Sequence, residues 1–266
     1  MLNEEKDWDL ISSTPGLSEE FIRENSDKVN WEFISYNQKL SEEFIIEFAD
    51  KVYWNWISGF QKLSEEFITE HHDKVSWLHI SGFQKLSEGF ISYFSNKVNW
   101  SMILVNQKLS EDFIRKNYHN VDLYYVSRFQ KVSPEFIKEY NLTIPKNCWL
   151  YKDKEFKRNY IKENTEYEII GDKVIAYKTC LPDGYSRFNF QYLYEVGKEY
   201  EAHADYNIDN QDSFGLSAWT KEGALDYYPD GKLFKVEIDL EDIAAIVHDG
   251  NKIRASKIKI LEEISI

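Results

Sequence analysis

Leu40-Ser-Glu-Glu-Phe-Ile-Ile-Glu-Phe-Ala-Asp-Lys-Val-Tyr-Trp-Asn-Trp-Ile-Ser-Gly-Phe-Gln-Lys62 is one copy of a 23-residue unit, and it decides the fold of the first half of the chain. Four more copies align with it without a gap, starting at Leu17, Leu63, Leu86 and Leu109. A half unit precedes them at Asp7-Trp8-Asp9-Leu10-Ile11-Ser12. Another half, Val132-Ser133-Pro134-Glu135-Phe136-Ile137, follows before Pro145 stops the pattern. Self-similarity at such a period is the signature of stacked supersecondary units. An α-solenoid of short helical hairpins, about five and a half units long, is therefore expected over residues 1–147.

Each unit reads as two helices. Ser18, Ser41, Ser64, Ser87 and Ser110 are N-caps, followed by acids such as Glu19-Glu20 and Glu42-Glu43 that meet the positive end of the helix dipole. Pro134 falls at the first helical position of the last half unit, where a missing N–H costs nothing. A second cap lies at Asn30, Ser76, Asn99 and Asp122, with Tyr53 the exception. It opens a helix that places Trp31, Trp54, Trp77 and Trp100 three residues before Ile34, Ile57, Ile80 and Ile103; the fifth unit has Leu123 and Val126 instead. Helices of about two turns are too short to stand alone. Burial of each Phe, Ile, Trp or Val is worth roughly 1.5–3 kcal/mol, largely offset by ordering the chain. Neighbouring units must share a core.

Two polar positions repeat. Gln38, Gln61, Gln84, Gln107 and Gln130 are expected to satisfy backbone groups in the turn between units, with a ligand-binding amide ladder as the alternative. Ser35, Ser58, Ser81 and Ser127 are small residues that let helices approach, and Leu104 breaks their run. The variable positions carry the candidate protein-binding set. Phe33, Trp56, His79, Met102 and Tyr125 share one register of the second helix, either as an exposed strip or packed partly inward.

After Pro145 the texture changes, and residues 148–266 read as an α+β domain with a mainly antiparallel sheet. A helix is expected at Lys154–Glu163. Tyr167–Ile170 and Val174–Lys178 flank Gly171-Asp172 as a hairpin. Further strands are expected at Phe188–Tyr194, Lys198–His203, Leu233–Leu240 and Ser256–Leu261, and Ser213–Thr220 leads into a helix at Lys221–Tyr228.

The formal net charge is −14, and residues 1–50 carry thirteen acidic against four basic side chains. Such a surface repels phosphate backbones, so no nucleic-acid partner is expected. Cys148 and Cys180 give neither a disulfide framework nor metal-ligand spacing. The acidic start of the chain is unlike a signal peptide, and no apolar run reaches a membrane-spanning length. A cytoplasmic protein with no membrane partner is expected.

The units Leu40-Ser-Glu-Glu-Phe-Ile and Asp50-Lys-Val-Tyr-Trp resemble repeat arrays of bacteriophages, large DNA viruses and some bacteria. Trp149-Leu-Tyr-Lys, Ala176-Tyr-Lys, Tyr185-Ser-Arg-Phe-Asn-Phe-Gln-Tyr, Ser213-Phe-Gly-Leu-Ser-Ala-Trp-Thr and Val247-His-Asp-Gly-Asn-Lys-Ile-Arg resemble an uncharacterised phage-type domain seen beside such repeats. Together they span nearly the whole chain. The resemblance implies origin and architecture and supplies no catalytic residues.

His71-His72 with Asp73 and His79, and His203-x-Asp205, are the nearest approaches to a metal site, but HExxH and a Cys pair are both absent, and no metal is expected. No P-loop glycine pattern occurs, and Gly215-Leu-Ser-Ala lacks the second glycine of a nucleophile elbow. The strand Gly215–Thr220 with the helix after it is similar to the middle of the ADP-ribosyltransferase fold, where those elements hold the nicotinamide end of NAD. That likeness would put Tyr177-Lys178 on a first strand and make Glu237 or Glu241 candidate acids, although the usual first-strand Arg-Gly or His-Gly is missing. No catalytic residue and no cofactor are assigned. The candidate small-ligand residues are Tyr177, Lys178, Tyr185, Arg187, Ser213, Trp219, His248 and Arg254, several of them in polar segments read as loops. The expected function is that of a non-enzymatic binding or adaptor protein. The repeats would take a protein partner and the second domain would take a small ligand; as an alternative, the resemblance to phage proteins implies sequestration of a host signalling molecule or defence factor.

Overall fold

The structure is a computed structural model that describes residues 7–187 and 192–265. It divides into two compact units, Met1–Asn99 and Trp100–Ile266. The change from helices to strands comes later, inside the second unit.

The first unit is a regular series of short helices: α1 (Trp8–Ser13), α2 (Glu19–Glu24), α3 (Trp31–Asn37), α4 (Glu42–Glu47), α5 (Trp54–Phe60), α6 (Glu65–Glu70), α7 (Trp77–Phe83) and α8 (Glu88–Tyr93). Several constant residues of the motif make contacts one repeat away. Ser41 and Ser64 cap their helices by accepting from Phe44 N and Phe67 N. Their own backbone N–H groups donate to the acid that opens the preceding unit's helix, Ser41 to Glu19 and Ser64 to Glu42, both at 2.6 Å. The glutamine expectation is met. Gln61 Nε2 donates to the carbonyls of Ser35 and Gln38, while its Oε1 accepts from Leu40 N. Gln84 repeats this pattern on Ser58, Gln61 and Leu63. The repeated serines do more than make room. Ser58 Oγ donates to the Trp54 carbonyl and accepts from Ser76 N of the next unit, as Ser35 does with Trp31 and Tyr53.

Ile22, Ile34, Ile45, Ile57, Ile68 and Ile80 are fully buried, whereas the constant tryptophans are half-buried. Trp54 stacks on Phe67 of the next unit with centroids 6.3 Å apart, and Lys74 of the Asp-Lys-Val segment lies 5.5 Å from the Trp54 ring. Trp31 and Trp77 are covered in the same way by Lys51 and Lys97. The tryptophan is thus a roof between units, held by ring stacking and by a cation on its face.

The second unit opens with α9 (Trp100–Asn106), α10 (Glu111–Lys116), α11 (Leu123–Phe129) and α12 (Pro134–Glu139). In the fifth repeat His119-Asn120 replaces Asp-Lys, and a 3-10 turn at Tyr118–Asn120 stands there. Gln130 keeps the ladder, donating to the carbonyls of Leu104 and Gln107 and accepting from Leu109 N. The ladder then ends on a tyrosine. Tyr151 Oη donates to the Gln130 carbonyl at 3.0 Å and accepts from Val132 N at 3.5 Å. These are the two kinds of group that a following glutamine would have served.

Beyond α13 (Lys154–Asn164) come β1 (Glu168–Ile170), β2 (Lys173–Cys180), β3 (Glu199–Glu201), β4 (Leu216–Trp219), α14 (Lys221–Tyr227), β5 (Lys232–Asp239), β6 (Ile243–Val247), β7 (Lys252–Ala255) and β8 (Lys257–Ile264). They build one antiparallel eight-stranded sheet in the order β3-β8-β5-β2-β4-β7-β6, with β1 along β2. Alternation directs Val174, Ala176, Phe234, Val236 and Ile238 into the core. Through β2 the ladder is uneven. Eight residue pairs join β2 to β5, but Tyr177 and Trp219 alone pair β2 with β4.

Two strands depart from the sequence expectation. β6 and β7 are buried along their whole length, so neither shows the alternation that marks a half-buried strand. The end of the polar segment His248–Arg254, expected as a loop, is a strand: Lys252–Arg254 are the first three residues of β7. The strand expected at Phe188–Tyr194 lies partly outside the described residues. At its described end Leu193 bridges Tyr185.

Candidate functional site

In the first unit the candidate register is mixed. Phe33 is exposed, while Trp56 and His79 are half-buried. They belong to a wider row, because residues three or four positions on share their helix face. Tyr36 meets Trp56 edge-on at 5.2 Å and Phe60 at 4.5 Å; Phe60 stacks on Phe83 at 6.2 Å, and Phe83 on His79 at 6.0 Å. Gly59 makes room for His79, whose ring would lie 3.2 Å from a Cβ placed there. The sequence reading missed Tyr36, Phe60 and Phe83, although Phe83 is 55% exposed and its spacing from His79 was available as a signal. Among the histidines weighed as metal ligands, His71 packs on the Phe67 ring, His72 Nδ1 meets Lys97 Nζ at 2.9 Å, and His79 Nδ1 meets Ser76 Oγ at 2.8 Å. No metal-sized group of ligands exists among the described residues.

In the second unit Met102 is exposed, and Tyr125 is half-buried against Tyr124 and Phe129. A shallow cleft of about 360 Å³ lies nearby, lined in part by Leu123, Tyr124, Arg128, Tyr140 and Leu142.

The sheet assembles a second group around Trp219. Its indole stacks on Tyr227 of α14 (centroids 5.0 Å, 23°), and the His248 ring stands 5.3 Å away. Lys252 is opposite Trp219 across the β4–β7 ladder, with Nζ 5.0 Å from the indole centre. Lys252 Nζ and His248 Nε2 both lie 2.9 Å from Asp212 Oδ1. The Lys252 ammonium, and then His248, hold the Asp212 carboxyl below its usual range. Arg187 lies over Tyr228 and Tyr227 at 5.0 and 5.6 Å. Of the expected ligand residues, Trp219, His248 and Arg187 therefore share one aromatic and cationic cluster. Tyr177 borders it as the β2 partner of Trp219. Lys252, Asp212 and Tyr227 were not foreseen.

The other candidates have structural occupations. Arg254 is fully buried, with Nη1 donating to the carbonyls of Asp205 and Asn207, Nη2 to Asn210, and Asp205 Oδ2 at 3.6 Å. It pins the loop over β7. Lys178 points to the core face, where Nζ donates to the Ser217 carbonyl at 2.8 Å and lies 4.8 Å from the Tyr194 ring centre; burial lowers its pKa to about 8. Tyr185 bridges Leu193, and Ser213 is half-buried beside Asp212. Glu237 pairs with Lys259 on the sheet, and Glu241 is an exposed acid near Lys154. Near the last repeat, His203 stacks on Phe214, and burial depresses its pKa to about 4.

Among the described residues no helix is long and apolar enough to cross a membrane. Comparison with protein-family models, curated proteins and solved structures found no match to the chain.

Proposed function

We propose that the chain is a non-enzymatic recognition protein whose repeats stack as a solenoid and take a protein partner on the second-helix face. The reading rests above all on how the motif residues are used. The constant Ser, Glu, Gln, Lys and Trp side chains of the first unit are engaged in contacts between repeats. What varies on that face is left to meet something else. There it carries Phe33, Tyr36, Trp56, Phe60, His79 and Phe83, ring-bearing side chains of the kind that anchor protein interfaces. If the likeness to phage-borne arrays holds, the partner is a host protein such as a defence factor, and the action is sequestration.

Capture from host lysate, with the bound proteins identified by mass spectrometry, tests the reading. A Trp56→Ala, Phe83→Ala double variant should lose the partner that the parent chain retains, while both chains melt within a few degrees of each other. Equal capture by parent and variant would remove this face from the mechanism.

A further inference from the structure

Independently of the repeat reading, we propose that Lys252, His248 and the Trp219–Tyr227 ring pair form a binding site for a small phosphate-bearing ligand, and that Asp212 occupies it as an internal stand-in. Lys252 is the buried member of the pair with Asp212. Its side chain is only 8% exposed on a strand buried along its length, yet the carboxylate that faces it is 77% exposed. Burying an ammonium is costly unless it is well paired, and a pair with a solvated carboxylate is worth little. The arrangement is a poor way to stabilise a sheet and a good way to hold a cation ready beneath a replaceable anion.

The turn that delivers His248 supports this. His248, Asp249 and Gly250 take successive positive φ values of 52°, 53° and 89°. Non-glycine residues adopt this region at a cost, and such backbone collects at functional sites. The turn aims His248 Nε2 at the same Asp212 oxygen that Lys252 holds, and Gln211 Oε1 accepts from His248 N at 2.6 Å. Two donors thus converge on one oxygen beside an aromatic wall. A phosphate dianion offers more oxygens and more charge than a carboxylate, so it gains more from two converging donors. Because Asp212 is tethered, its effective concentration is on the order of millimolar. A free phosphate must compete with that, and the parent chain should bind it weakly.

Isothermal titration with inorganic phosphate, and in a second arm with a nucleoside monophosphate, tests the proposal on the full chain. Asp212→Ala removes the competitor and, being an exposed position, should leave the fold intact. It should bind at least one of the two probes about tenfold more tightly than the parent chain. Adding Lys252→Met or, should that variant not fold, His248→Ala, to Asp212→Ala should abolish most of the gain. Tightening with inorganic phosphate alone identifies the free ion, and tightening with the nucleotide identifies a phosphate ester. No tightening with either probe, or a gain that survives the added Lys252→Met or His248→Ala change, overturns the site. Neither result bears on capture by the repeats.

Discussion

Gln61 in the repeats and Arg254 in the sheet answer the same need, a buried polar side chain that satisfies backbone carbonyls, but at different ranges. Gln61 reaches groups 21, 23 and 26 residues back, about one repeat length. Arg254 reaches carbonyls 44, 47 and 49 residues back, and Lys157 donates to carbonyls 84 and 86 residues ahead. Where partner distance equals the sequence period, the same bond recurs and each copy is supported by the next. Where it does not, a single side chain holds a single loop. The repeats should therefore fail gradually and the sheet at particular residues.

Arg254→Met tests that contrast hardest. It leaves Asp205 buried without its cation and frees the loop carbonyls, which should cost about 3–5 kcal/mol. A urea melt followed by far-ultraviolet circular dichroism should show the sheet signal lost first. Gln61→Leu should cost less, about 2–4 kcal/mol, because it strands neutral backbone groups only. A larger loss for Gln61→Leu would reverse the comparison.

A pH scan sharpens it further. With His203 held near a pKa of about 4 against an ordinary 6.5, the unfolded chain binds a proton between those values and the native chain does not. Stability should drop as pH falls from 6.5 to 4, by about 2–3 kcal/mol attributable to this residue. His203→Phe should flatten that segment of the profile. A parallel decline in the two chains would mean that His203 does not stay neutral in the fold. The smallest effect belongs to Ser58→Ala, about 1 kcal/mol for the bond to Ser76 N, measurable as a modest shift in the urea midpoint.

The same contrast explains what could be read from the sequence. The first-helix caps, both helices of each unit and the glutamine ladder were legible because five aligned copies separate constant from variable; of the expected second-helix caps, Asn30 and Asp122 hold their helices, whereas the Ser76 hydroxyl turns to His79 and makes no cap bond. The bond from Glu42 to Ser64 was hidden, since its partner lies 22 residues on and nothing in a single unit reveals the offset. In the sheet, β5 and β8 were legible from alternation. β6 and β7 were not, because both of their faces are covered. The charges of Lys252 and Arg254 pointed to solvent, while the fold puts one beneath a ring and the other under a loop. Trp219 and His248 were found by type, and Asp212 could be placed beside them only by the fold.

Tyr151 has a consequence for how this gene can change. Its hydroxyl meets a Gln130 carbonyl and a Val132 N–H, groups present at the end of any unit with this motif. A recombination event that copies or drops one whole 23-residue segment ahead of it presents the same terminus to the same hydroxyl. Copy number is then the property of the repeats most open to natural variation, and near relatives should differ in length by multiples of 23 before they differ at Tyr151.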